Sequence, residues 1–144
     1  MFVEIQHHVQ LIIHEVLKLD PEVSFYKHRD ASARIACMFL ELLDRQFPID
    51  SLEETFSLRT AQDYSARLSV HVNHLNFAVK LITGKTTTEH IAARIFLEAQ
   101  ALLKYTSWTI SQIALCLGFE HASNFSSFFR KRSGITPGMF RAAS

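Results

Sequence analysis

The chain has 144 residues, 48% of them hydrophobic and 20% charged, with a formal net charge of +1. That suffices for one ordinary domain or two small ones. No run of about 18 apolar residues could span a bilayer, and the N-terminus lacks the charged-then-apolar order of a secretory signal. The expectation is therefore a cytoplasmic protein with no membrane partner. The near-zero charge conceals a split: residues 1–58 hold 5 Lys/Arg against 10 Asp/Glu, and residues 59–144 hold 10 against 4, giving −5 and +6. A basic half suits a polyanion, because neutralised phosphates release their counterions; an acidic half should avoid one.

In chain order, residues 2–17 place Phe2, Ile5, Val9, Ile12, Ile13 and Val16 at three- and four-residue steps, which describes an amphipathic helix ended by Asp20-Pro21. A second helix over residues 28–46 shows Ile35, Met38, Phe39, Leu42 and Leu43, and Pro48 bars its continuation. Two such helices form a hairpin that cannot bury both stripes internally. Either a second copy covers them, making residues 1–50 a dimerisation element, or they complete the core of this chain. Residues 51–56 read as a short helix boxed by Ser51 and Glu54, with a domain boundary near residues 48–59. This divides the chain into 1–50, the hairpin, and 51–144.

Residues 60–70 and 72–82 then form two helices, the second carrying Leu75, Ala78, Val79 and Ile82 inward and ending at Thr83-Gly84. A connecting helix over residues 86–105 is boxed by Thr86 and Glu89 and turns Ile91, Ala92, Ile95, Ala99, Leu102 and Leu103 inward. Thr109, with Gln112 three residues on, opens another helix, along which Ile110, Ile113, Ala114 and Leu117 recur until Gly118. A further helix runs from Ala122 to Gly134 with Phe125, Phe128, Phe129 and Arg132 on one stripe, and Thr136-Pro137 opens the last.

The stretch over residues 109–137 is thus helix, turn, helix, and it echoes an earlier one. Shifted by 50 residues, Leu75 falls on Phe125, Ala78 on Phe128, Val79 on Phe129, Lys80 on Arg130 and Gly84 on Gly134. The outward positions correspond too: Asn73, Asn76, Phe77 and Lys80 land on Ser123, Ser126, Ser127 and Arg130. For the preceding helices the offset is 49, with Ser65 on Ala114, so the second copy has one extra residue in its turn. Each outward face is rich in amides or hydroxyls and carries a cation, as a helix entering a major groove requires. The connecting helix of some 18 residues spans roughly 27 Å, of the order of the ~34 Å between successive major-groove faces on one side of B-DNA. A repeated outward polar pattern on a basic half is not what an ordinary solvated helix face predicts.

Other motifs are set aside. Gly84-Lys85-Thr86 resembles the tail of a phosphate-binding loop, but the first glycine is replaced by Val79 and a helix precedes it. The pairs His71/His74 and His7/His14 have no accompanying Cys or carboxylate set at metal-ligand spacing, so no metal or cofactor is expected. Cys37 and Cys116 lie in apolar helical patterns and read as reduced core residues, because one pair gives no disulfide framework. No catalytic residue is singled out, and an enzyme is not expected.

The segments HLNFAVKLITGKT, IAARIFLEAQALL and ISQIALCLGFEHASNFSSFFRKRSGITPGMFR make residues 60–141 resemble the DNA-binding domain of AraC/XylS-type bacterial transcription regulators. The resemblance implies an all-α fold of two helix-turn-helix units joined by a long connecting helix and preceded by the N-terminal hairpin. It also implies that Asn73, His74, Asn76, Phe77 and Lys80 face one groove while Ser123, Asn124, Ser126, Ser127 and Arg130 face the next. Residues 1–50 look like the helical end of the sensory and dimerisation part such regulators carry, without the effector-binding barrel that usually precedes it. Phe77 and Ser127 stand where family members frequently have arginine, which removes the side chain suited to bidentate guanine contact. Phe77 is expected against a thymine methyl, with cover by residues 1–58 as the other reading. The function expected is sequence-specific transcription regulation. Its partners would be double-stranded DNA, a second copy through residues 1–50, and RNA polymerase. The alternative is an interaction module that pairs through the hairpin with a full-length regulator.

Overall fold

A computed structural model describes residues 2–19, 21–54 and 56–144, with side chains at 3–12, 27–54 and 56–144. The helices are α1 (Phe2–Leu19), α2 (Pro21–Asp44), α3 (Ala61–Leu68), α4 (Val72–Thr83), α5 (Thr87–Tyr105), α6 (Ile110–Cys116), α7 (Ala122–Ser133) and α8 (Pro137–Ala143), and there is no strand among the described residues. The fold is the all-α, two-unit architecture that the sequence pattern implies. None of the helices, over the residues described, is long and apolar enough to cross a membrane.

Side-chain caps set the starts of α3, α5, α6 and α8. Thr60, Thr86 and Thr109 accept the N–H of Asp63, Glu89 and Gln112, and those three side chains accept in return from the cap backbone. Each box satisfies two backbone donors that a helix start would otherwise leave orphaned. Thr136 caps α8, with Pro137 at the first helical position, where a missing N–H costs nothing.

Ser51 and Glu54 each accept a backbone N–H, but not in the register of a capping box, and no helix forms over the described residues of 51–56, which corrects the expectation there. Glu53 N–H reaches Ser51 Oγ at 3.2 Å and Asp50 N–H reaches Glu54 Oε2 at 3.1 Å, around a turn at residues 52–53. Tertiary bonds explain the outcome. Phe56 is buried beside Phe47, with ring centroids 5.3 Å apart, and its N–H donates to the carbonyl of Cys116 at 3.1 Å. An α-helix could not send that N–H across the molecule.

A continuous core joins Ala36, Phe39 and Leu43 of α2 to Leu75 and Val79 of α4, Ile95 and Leu102 of α5, and Phe125 and Phe129 of α7. The buried stripe of α2 is Ser32, Ala36, Phe39 and Leu43; Ile35 and Leu42 lie at its edge, and Met38 is exposed. Small residues at 32 and 36 let α4 approach, which rotates the stripe from where the larger side chains alone would centre it. α2 also begins at Pro21 rather than near residue 28, a proline being tolerated in a first turn. Cys116 is buried as expected, and burial pushes its thiol above the ordinary range. Cys37 is exposed, contrary to its assignment to the core. On α1 the described part of the apolar stripe, Ile5, Val9 and Ile12, is open to solvent, as are Val3 and Leu11 off the stripe. The side chains of Phe2, Ile13 and Val16 lie outside the described set, as does Asp20.

The segment after α2 ties the two helical pairs together. Glu98 of α5 is buried and accepts the N–H of Ile49 at 2.8 Å, while Arg94 one turn earlier stacks 4.4 Å above the Phe47 ring and pairs with Asp44 at 3.3 Å. Gln46 donates to the Tyr64 hydroxyl and accepts from Leu58 N–H, and burial raises the Tyr64 hydroxyl well above its ordinary value. At the far end of α5, Arg141 of α8 donates to the carbonyls of Leu103 and Thr106 at 3.0 and 3.4 Å, where a helix C-terminus favours a cation.

Candidate nucleic-acid interface

Two helix-turn-helix units, α3–α4 and α6–α7, sit at the two ends of α5, whose 19 residues make it about 28 Å long. Their turns are built to the same plan. In the first, Val70 N–H bonds back to Ser65 carbonyl at 3.0 Å; in the second, Phe119 N–H bonds to Ala114 carbonyl at 2.9 Å. Ser65 itself is buried and satisfied, its hydroxyl donating to Gln62 carbonyl at 2.9 Å. The left-handed turn position is Ser69 with φ 56° in the first unit and Gly118 with φ 91° in the second. Only glycine adopts that conformation without strain, and Gly118 has a further constraint: an added Cβ would meet the Arg59 guanidinium at 2.7 Å.

The helix ends repeat as well. α4 and α7 stop at Gly84 and Gly134. Just before them, Thr83 Oγ1 donates to Val79 carbonyl at 2.7 Å and accepts Lys85 N–H at 3.2 Å. Ser133 Oγ does the same with Phe129 carbonyl at 2.8 Å and Ile135 N–H at 3.3 Å. Conserving these small ties fixes how α4 and α7 leave their units, and so which face each turns outward.

On α4, Leu75, Ala78 and Val79 are buried, whereas Asn73, His74, Asn76, Phe77 and Lys80 are exposed. On α7, Phe125 and Phe129 are buried and Ser123, Asn124, Ser127 and Arg130 are exposed, with Ser126 half-buried at the edge of the face. Phe77 keeps 63% of its surface open, a large value for an aromatic ring, although α2 runs along one side of it. Phe128, expected in the core, is only half-buried; it packs on Phe119 and lies under the Arg132 guanidinium.

Several relevant residues carry no motif that would single them out. His71 caps α4, its Nδ1 accepting the N–H of Asn73 at 3.1 Å. The Lys80 ammonium donates to Gly84 carbonyl at 2.9 Å and so folds back on its own helix end. His121 stands one repeat from His71 but makes no side-chain cap. The histidine at the same register in both copies was the available signal for the cap; the fold-back of Lys80 had none. His71 and His74 have ring centroids 6.3 Å apart, and no group of three metal-ligating side chains occurs among the described residues.

Comparison with known proteins covers the same elements. The model of a helix-turn-helix domain family matches residues 64–143. The HTH-type transcriptional activator RhaR of Cronobacter sakazakii is 30% identical over 92 residues, covering 64% of this chain and 31% of RhaR. The chain thus spans about a third of that relative's length. Among solved structures, the C-terminal domain of the response regulator AraT from Geobacillus stearothermophilus superposes with a TM-score of 0.64 at 21% identity, covering 76% of this chain and 85% of that one. The DNA-binding domain of the global transcriptional factor AdpA, solved with a target DNA, gives 0.58 at 22% identity over 78% and 90%.

Proposed function

The chain belongs to the AraC/XylS-type family of helix-turn-helix transcription regulators, and on that premise we propose that it binds double-stranded DNA sequence-specifically through α4 and α7. The observation that carries the reading is the repetition of one frame at both ends of α5. Turn, helix end and exposed polar face recur while the buried residues change from aliphatic in α4 to aromatic in α7. In this reading Asn73, His74, Asn76, Phe77 and Lys80 address one major groove, and Ser123, Asn124, Ser126, Ser127 and Arg130 the next. Amides and hydroxyls would read base edges while the cations hold phosphates. The chain would work in the cytoplasm beside the chromosome, reach RNA polymerase at a promoter, and need no cofactor or catalytic group.

Arg130 provides the main test. Its side chain is exposed in a last turn that also holds Lys131 and Arg132, whereas Lys80 is tied to Gly84. Replacing Arg130 with alanine should weaken duplex binding and flatten its salt dependence by about one unit of log K against log salt, more than Lys80→Ala does. Affinity unchanged in both variants at low salt would remove α4 and α7 from the interface. Replacing Asn73 or Ser123 with alanine, by contrast, should lower discrimination between sites by about 1 kcal/mol.

The exposed stripe on α1 supports a second copy as partner through residues 1–50, because Ile5, Val9 and Ile12 are spaced to meet an equivalent helix. Sedimentation of the intact chain tests this. Self-association that survives substitution of all three by serine would place the contact elsewhere.

A further inference from the structure

Beside the exposed face of α4 runs the first half of α2. His28, Arg29 and Ile35 of α2 share an open cleft of about 560 Å³ with His74, Phe77 and Leu81 of α4. On a helical projection these three α4 residues form one flank of the outward face, and Asn73, Asn76 and Lys80 lie toward the other. A helix about 10–12 Å across in a major groove about 12 Å wide has a sugar-phosphate strand against each flank. The strand on the Phe77 side would find no permanent cation on α4, because Lys80 points away and donates to Gly84 carbonyl. What it would meet is α2, at Arg29.

We propose that Arg29 binds a phosphate of the DNA strand alongside α4, making α2 part of the DNA interface and supplying from a neighbouring helix the cation that position 77 lacks. The proposal rests on the DNA-binding reading of α4. Charge supports it locally against the trend of the acidic half: residues 27–34 contain Lys27, Arg29 and Arg34 with Asp30 as their one acid. Arg29 is exposed, and among the described residues no ion pair holds it. The apolar floor of Ile35, Phe77 and Leu81 suits the deoxyribose and thymine methyl groups that flank a phosphate.

Duplexes selected by the intact chain from a random pool provide the probe, titrated over a range of salt against Arg29→Ala, Arg29→Lys and Arg130→Ala. The expected result is that Arg29→Ala weakens binding several-fold at low salt, equally on selected and unrelated duplexes. Its salt slope should fall by about one, Arg29→Lys should restore that slope, and thermal unfolding should stay unchanged. An unaltered slope for Arg29→Ala, alongside a reduced one for Arg130→Ala, overturns the inference and leaves the DNA reading standing. Failure of the intact chain to enrich any duplex overturns both. So does the inference fall if the slope is unaltered while 8-anilinonaphthalene-1-sulfonate binds saturably and loses its site in Phe77→Ala, which would assign the cleft to a small apolar anion.

Discussion

In the first helix-turn-helix unit, α4 starts on a histidine cap, its turn holds a serine in the left-handed region, and its one lysine bends back to Gly84. In the second, α7 starts without a side-chain cap, its turn has glycine at that position, and its last turn carries Arg130, Lys131 and Arg132. Its inner side is a cluster of rings: Phe129 lies 5.1 Å from Phe96, 6.1 Å from Phe125 and 5.4 Å from Phe140. One frame therefore supports two different balances. The second unit combines a heavier core with more charge for a phosphate backbone. The first has a lighter core and leans on α2, which packs along α4.

The core gives the largest expected contrast. Phe129→Ala should lower stability by about 3–5 kcal/mol in denaturant titrations, while Val79→Ala, one repeat earlier, should cost roughly 2. Equal losses would mean that the aromatic cluster adds nothing over aliphatic packing. The turns come next. Gly118→Ala must strain the backbone by roughly 1–2 kcal/mol and also displace Arg59. The reverse exchange, Ser69→Gly, should stabilise the first unit by about 0.5–1 kcal/mol. If Gly118→Ala cost no more than Gly134→Ala, where nothing lies within 4 Å of an added Cβ, then Arg59 would not constrain the turn.

The smallest effect is a pH dependence confined to one unit. Burial holds His90 below its ordinary value of 6.5, with its Nε2 2.7 Å from Thr83 Oγ1 at the end of α4. The backbone N–H groups of Arg59 and Thr60 hold the half-buried Asp63 below 3.8. Both shifts are downward, so the stability each contributes is complete above its ordinary value and is lost as pH falls through the lower folded one. The corresponding box in the second unit uses Gln112, which does not titrate, and Ser133 has no histidine neighbour among its hydrogen bonds. Amide exchange in α3 and α4 should therefore accelerate before that in α6 and α7 as the solution is acidified. Simultaneous loosening would erase this difference between the units.

Much of this frame was legible because it is local. Threonine caps, the acid or amide three residues on, and glycine at a helix end state their structure within a few positions, so α3 to α8 follow from sequence. What could not be read depends on partners far along the chain. Ser51 and Glu54 accept the N–H groups of Glu53 and Asp50 instead of each other's, and Phe56 is drawn to Cys116, so no helix results over the described residues there. Glu98 looks like a surface residue until Ile49 N–H is found against it. Cys37 sits among apolar neighbours in sequence yet faces solvent, because the buried stripe of Ser32, Ala36, Phe39 and Leu43 turns another side of α2 inward. At the site, periodicity could indicate which way Asn73 or Ser127 points, but not that Lys80 returns to its own helix or that α2 flanks Phe77.

Within residues 47–59, Ile49 bonds to α5 at Glu98 and Phe56 to the end of α6 at Cys116, and the Arg59 side chain lies close beside Gly118 of the second turn. With α5 on one side and this length of chain on the other, the two units are joined through two routes. Under the proposed docking of α4 and α7 on DNA, where one helical turn is about 10.5 base pairs, such a molecule would act as a calliper set to one opening: five base pairs inserted between its two half-sites would turn the second away from α7. It would therefore distinguish targets by the phase between two short words as well as by their letters.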